Sequence, residues 1–126
     1  MKKIIIDTNF LLIPYQFKVD IFSEIRRICD FNYEICIIDK TLDELKKIML
    51  VPGKDKLGAV LALQLLPHHK VKKILTKKDK LVDDLIVDIA NKNTIVATQD
   101  KELKKRVKAK KAGLIVMRQK KHLVLM

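Results

Sequence analysis

Acidic side chains stand where two apolar runs end. Asp7 directly follows the run KIII at 3–6, and Asp100 follows TIVA at 94–97 after only Thr98 and Gln99. In a parallel α/β sheet, ligands collect outside the carboxyl ends of the strands, near the point where strand order reverses. A single Asp closing a strand is ordinarily a helix cap or a turn former, but two in the same relation to two strands point to a shared site. Helical wheels add two more acids. At ~100° per residue, Val82, Leu85, Ile86, Ile89 and Ala90 form the buried stripe of one helix, with Asp83 at its edge, Asp84 nearly opposite and Asp88 well outside. On an earlier helix Glu44 borders the stripe of Leu42, Leu45, Ile48 and Met49, and Asp43 lies further into solvent. Four carboxylates gathered together repel one another unless a hard divalent cation sits among them. The set Asp7, Glu44, Asp83 and Asp100 therefore calls for Mg²⁺ or Mn²⁺, which in such sites stabilise the attacking and leaving oxygens of a displacement at phosphorus.

The charge balance agrees with a polyanionic partner. Against 15 acidic residues stand 27 Lys and Arg, a formal net charge of +12, and such a field attracts nucleic acid. The densest basic stretch is KELKKRVKAKK at 101–111, where Lys104, Lys105 and Arg106 are the candidate phosphate contacts. Other chemistry is poorly supported. Gly53, Gly58 and Gly113 lie far apart, so no glycine-rich phosphate loop exists. His68, His69 and His122 lack the spacing of a zinc site, and Cys29 and Cys36 sit among apolar residues as core thiols do.

The elements that must position these residues alternate. Lys2 to Ile6 reads as a strand buried on both faces; helical spacing of apolar residues runs from Phe17 to Cys29; Tyr33 to Ile38 reads as a strand. A helix capped near Thr41 continues until Pro52 and Gly53 stop it, and Leu57 to Leu66, apolar nearly all round, forms another that Pro67 ends. Strands over 71–75, 94–97 and 114–117 alternate with helices over 81–91 and 101–109, and the apolar tail HLVLM docks on the body. This is the pattern of one α/β domain over residues 1–126, a parallel sheet covered on both faces. A chain of 126 residues closes one core. No apolar run reaches the ~20 residues needed to span a bilayer, and Asp7 interrupts the opening MKKIIIDTNFLLIPYQF, so a soluble, cytoplasmic protein is expected.

In order and spacing, DTNFL at 7–11, Glu44 within TLDELKKI, DDLIVDIA at 83–90 and ATQDKELKKR at 97–106 resemble the acidic motifs of PIN-domain nucleases, and the resemblance spans essentially the whole chain. It implies a three-layer α/β/α fold with a five-stranded parallel sheet, and an acidic pocket for Mg²⁺ or Mn²⁺. The activity it implies is an endoribonuclease acting on single-stranded RNA. It assigns Asp7, Glu44, Asp83 and Asp100 to the acidic quartet and puts Asn9 and Thr98 beside them as polar supports, with Asp84 either supporting the ligands from behind or substituting for one of them. Within the family, DTNFLLIPYQFKVDIFSEI and the ATQDKELKKR run with its basic continuation look more like archaeal proteins related to eukaryotic ribosomal-RNA-processing PIN nucleases than like average toxins. Archaeal members of this kind are also often labelled VapC toxins, so an antitoxin or a ribosome-assembly partner is implied. The apolar segment 57–66, together with the resemblance, suggests a homodimer. Two rivals stand beside this reading: a non-catalytic RNA-binding scaffold, against which the intact quartet counts, and a metal-dependent phosphatase for small substrates, which the basic charge disfavours.

Overall fold

The run KKIII forms β1 (Lys2–Ile6) at the centre of the sheet, and its last three isoleucines are inaccessible to solvent. Only a strand covered on both faces can hide consecutive side chains, since successive residues point to opposite sides. The computed structural model describes all 126 residues. After β1 a 3-10 turn (Thr8–Leu12) leads into α1 (Ile13–Phe17) and α2 (Ile21–Ile28). There follow β2 (Tyr33–Ile38), α3 (Asp39–Leu50), α4 (Lys56–His68) and β3 (Lys72–Ile74). The chain closes with α5 (Val82–Ile89), β4 (Thr94–Ala97), α6 (Lys101–Ala109), β5 (Gly113–Arg118) and β6 (His122–Leu125).

The sheet order is β3-β2-β1-β4-β5-β6. The first five strands pair in parallel, as the sequence predicts, and β6 pairs antiparallel to β5. The tail HLVLM thus docks as a sixth strand, extending the five-stranded sheet expected from the sequence. Order reverses between β1 and β4, and the crevice that a parallel sheet opens at such a point lies at the carboxyl ends of these two strands.

Two cores sandwich the sheet. Ile4, Ile6, Ile37, Ile95 and Ile115 face the side covered by the 3-10 turn and α1 to α4. Ile5, Ile38, Val96, Leu114 and Val116 face α5 and α6. The continuous apolar spacing from Phe17 to Cys29 is broken at Lys18, whose left-handed backbone (φ 57°) ends α1 before Asp20 caps α2 by accepting from Ser23 N at 3.1 Å. Helix α4 passes one residue beyond Pro67. It packs on α1, α3 and the 3-10 turn, which consume much of its apolar surface, although Leu57 stays 57 % exposed. Cys29 and Cys36 are buried free thiols. No helix is long and apolar enough to cross a membrane.

Candidate active site

Asp7 leaves β1 at the reversal point and is 5 % exposed. Its backbone N–H donates to the Ala97 carbonyl at 3.0 Å, extending the β1–β4 ladder one step past the strand. Its carboxylate is held from two sides: Oδ1 accepts from Thr8 N and Oδ2 from the Thr98 hydroxyl, each at 2.9 Å. Thr98 is fully buried at the end of β4, and its hydroxyl also accepts from Asp100 N at 3.1 Å. One threonine therefore ties together the acids that follow two neighbouring strands. Asp100 caps α6, with Oδ1 accepting from Leu103 N at 2.9 Å, while Oδ2 has no partner within the chain. The ordinary role of a strand-end Asp and a role in the site coexist, because a carboxylate has two oxygens and the cap uses one.

Glu44 and Asp83 approach from the two helical layers. Glu44, half-buried on α3, accepts from the Thr8 hydroxyl, which also lies 3.4 Å from the hydroxyl of buried Thr41. Asp83 is half-buried in the first turn of α5. Their fields overlap. Burial pushes the Asp7 carboxyl up to about 6 against the pull of the Thr98 hydroxyl; the charges of Asp83 and Glu44 push the same way as burial, and the Thr8 N–H opposes them. Burial also raises Asp83, reinforced by the charges of Asp100 and Glu44 and opposed by Arg106. Four elements thus bring four mutually repelling carboxylates to one strand end.

That donor set fits a hard cation in one particular way. No three His, Cys, Asp or Glu side chains converge tightly enough to encage a bare ion. Mg²⁺ does not require a cage, since it keeps several waters and is commonly held through one or two carboxylates. Asp7 and Asp100, linked through Thr98, would offer such a pair, and Glu44 and Asp83 add their negative charge beside it.

The remaining candidates fall elsewhere. Thr98 touches both acids directly. Asn9 is exposed and makes no hydrogen bond to the quartet; the support expected from Asn9 comes from Thr8, whose backbone serves Asp7 and whose hydroxyl serves Glu44. Asp84 is turned away, its carboxylate 2.8 Å from Arg106 on α6. Arg106 accordingly differs from the open phosphate contact expected of it, because its guanidinium is engaged at the edge of the acidic site. Lys104 and Lys105 point to the other side of α6, lining a cleft with Arg118 of β5. A cavity of about 760 Å³ opens beside Asp7 and Asp100, lined among others by Asn9, Gln16, Phe17, Gln99 and Gln119. Of these only Asn9 stood out in the sequence; the amides lie dispersed along the chain, and folding alone brings them together.

Comparison with known proteins supplies a family. A family model described as a PIN like domain matches residues 4–120. The chain is 35 % identical to Ribonuclease VapC4 of Methanocaldococcus jannaschii, over 97 % of this chain and 95 % of that protein. It is 34 % identical to Ribonuclease VapC9 of Archaeoglobus fulgidus, over 89 % of this chain and 78 % of that protein. Among solved structures it superposes on the PIN domain endonuclease Utp24 with a TM-score of 0.81 at 27 % identity, covering 98 % of this chain and 90 % of that one. A domain of a functionally unknown protein from Methanocaldococcus jannaschii shares the fold alone, with a TM-score of 0.64 at 16 % identity over 94 % of this chain and 92 % of that one.

Proposed function

The chain belongs to the family of PIN-like domains, and from that premise we propose that it is a metal-dependent endoribonuclease acting on single-stranded RNA. The observation that carries this reading is the Thr98 hydroxyl joining Asp7 to Asp100 at the reversal of strand order, with the charges of Glu44 and Asp83 felt at Asp7 and those of Asp100 and Glu44 felt at Asp83. The names of the two archaeal relatives support the substrate class, and the net charge of +12 suits a polyanion.

Asp7 and Asp100 are the direct ligands in this reading, and Glu44 and Asp83 complete the site directly or through water. Bound there, Mg²⁺ or Mn²⁺ would supply an activated water and offset charge on the phosphodiester. The protein's own contribution is orientation. Thr8 and Thr98 fix the plane of the Asp7 carboxylate, Leu103 N fixes that of Asp100, and the Thr8 hydroxyl holds Glu44. Such support of liganding groups is worth roughly 10–100-fold in metal affinity or activity. Both named relatives bear the VapC label of archaeal toxins of this kind, so a toxin paired with an antitoxin is favoured over a role in ribosome assembly.

The test is cleavage of end-labelled single-stranded RNA in Mg²⁺ and in Mn²⁺. Asp7→Asn, Asp83→Asn and Asp100→Asn are each expected to lower the rate more than about 100-fold, beyond the loss typical of supporting residues, while Asp43→Asn leaves it unchanged. A quartet variant that cleaves at the wild-type rate would refute the site, and a wild-type protein inert in both metals would refute the activity.

A further inference from the structure

The cavity beside Asp7 and Asp100 extends away from Glu44 and Asp83 toward the β5–β6 hairpin, and its wall differs in kind from the acidic site. Four carboxamides, one aromatic ring and one lysine define it. Its volume of about 760 Å³ lies within the range of small-molecule sites, ~300–1,000 Å³.

The hairpin that forms one wall is built against local preference. Gln119 and Lys120 hold left-handed backbone, with φ of 56° and 54°, and Lys121 N donates to Arg118 O at 3.1 Å. Asn-Gly fills such a turn at least cost, because both central residues need positive φ. Here two long side chains occupy it, and both line the cavity. Strained backbone kept beside a candidate site is an indication that the side chains it carries are used.

The Phe17 ring forms a second wall, and the Lys120 ammonium lies 5.8 Å from its centroid. That contact is an exposed cation–π pair, a weak one that a flat ring can displace. A base seated on Phe17 gains stacking, and the released ammonium is free to meet a phosphate. The amides complete the arrangement. Gln99 is clamped, its Oε1 accepting from Met117 N at 2.7 Å and its Nε2 donating to Met117 O at 3.3 Å, so it serves as a rigid wall. Gln16 donates to Asp55 at 3.0 Å, which leaves the Gln16 carbonyl and the second Asp55 oxygen as acceptors. Asn9 and Gln119 make no side-chain hydrogen bond within the chain, and an amide with both donor and acceptor is what reads the edge of an unpaired base.

We propose that this cavity is a nucleobase subsite, seating the base next to the scissile phosphate on Phe17, with Asn9 and Gln119 reading its edge. The acceptors of Asp55 and Gln16 favour a base with an exocyclic amino group over uracil. The subsite rests on the ribonuclease reading above, and it makes the cavity, not the basic helix α6, the source of cleavage preference.

The experiment measures binding of the pentanucleotides rA5, rC5 and rU5 by fluorescence anisotropy in chelator, with cleavage of a mixed-sequence RNA in Mn²⁺ alongside. Wild type is expected to bind rA5 and rC5 at least about threefold more tightly than rU5, the scale of one net hydrogen bond. Asp55→Ala, which removes the carboxylate acceptor, should abolish the difference, and Gln119→Gly should narrow it while raising the melting temperature, since glycine accepts the left-handed turn without strain. Phe17→Leu, which keeps an apolar side chain, should weaken all three about fivefold or more through lost stacking. Equal binding of the three oligonucleotides to wild type, or a base preference unchanged in Asp55→Ala or in Gln119→Gly, overturns the subsite. The two readings separate in the cleavage arm. Base-selective binding without cleavage removes the ribonuclease reading and leaves the subsite, whereas cleavage at the same positions by wild type and Gln119→Gly removes the subsite and leaves the ribonuclease reading.

Discussion

Asp7 is asked both to be buried and to be charged, and the conflict has a measurable sign. Its carboxyl is raised from the ordinary carboxylate value to about 6, chiefly by burial. An acid whose folded value lies above its unfolded one contributes stability that is fully present below the unfolded value and is lost as pH rises through the folded one. In chelator the melting temperature should therefore fall between about pH 4 and pH 6–7; at ~1.4 kcal/mol per unit the loss is about 3 kcal/mol. Asp83, raised by burial and by Asp100 and Glu44, acts in the same direction. Asp20, Asp39 and Glu24 act oppositely. Hydrogen bonds from Ser23, Thr76 and Arg27 respectively lower them, so their contributions vanish only as pH falls through still lower values. Asp7→Asn should flatten the pH 4–7 slope and raise the metal-free melting temperature at pH 7.5 by several degrees. Thermal scans of both proteins in chelator and in Mg²⁺ check this. Mg²⁺ should stabilise wild type by binding only the folded state and should lose most of that effect in the variant. A wild-type pH slope retained by Asp7→Asn would mean that Asp7 is not the group responsible.

Element by element, the site is a matter of where strands stop and helices start. Asp100 shows how the two functions of one residue can be separated. Asparagine keeps an oxygen to accept from Leu103 N, whereas alanine does not, and losing an N-cap costs roughly 0.5–2 kcal/mol. Asp100→Asn should thus melt within about a degree of wild type and still fail to cleave RNA, whereas Asp100→Ala should lose both stability and activity, as thermal denaturation and the labelled-RNA assay would show. Equal destabilisation by the two substitutions would remove the cap from the argument. The same element scale explains what was legible in the sequence. The strand runs KIII and TIVA announce themselves as short, wholly apolar segments, and the wheel positions of Glu44 and Asp83 follow from periodicity alone. Strand β6 does not announce itself, because HLVL is short and the turn before it carries Gln119 and Lys120 where a hairpin signal would have Asn and Gly. The break at Lys18 is hidden for the same reason, a left-handed lysine being indistinguishable from a helical one by pattern. Nor could Thr8 be read as a support, and Thr98 entered as one only through the family resemblance. Thr98 meets Asp7 across 91 residues and Thr8 meets Glu44 across 36, and such partnerships exist only once the sheet and helices are assembled.

For the whole molecule, two surface properties remain: an apolar tip and a basic field. Leu50, Val51 and Leu57, exposed by 78 %, 63 % and 57 %, flank the connection from α3 to α4. A homodimer joined there should appear by light scattering at tens of micromolar and dissociate in Leu50→Lys/Leu57→Lys; a monomeric wild type would refute it. The basic field governs a different observable. Lysines that neutralise phosphates release counterions, so log affinity for single-stranded RNA should fall with log salt at roughly 0.7 per contact. The contributions along α6 are unequal. Lys104 and Lys105 line an open cleft beside Arg118, whereas Arg106 is paired with Asp84 at 2.8 Å. An arginine already neutralised by a carboxylate has little counterion to release. Lys104→Ala/Lys105→Ala should therefore flatten the salt slope by about one to two contacts, weakening unrelated RNAs alike, because lysines on a helix face register charge more than base identity. Arg106→Ala should leave the slope nearly unchanged. Its effect should fall on the acids instead, since Arg106 opposes the upward push on Asp83, and its loss should move the acidic limb of the cleavage pH profile toward higher pH. Anisotropy across a salt series, in the Asp7→Asn background so that RNA survives, measures the slopes; initial rates against pH, with Asp7 restored, measure the limb. Should Arg106→Ala flatten the slope as much as the lysine pair does, the Asp84 bridge yields to RNA in solution, and the guanidinium is a phosphate contact after all.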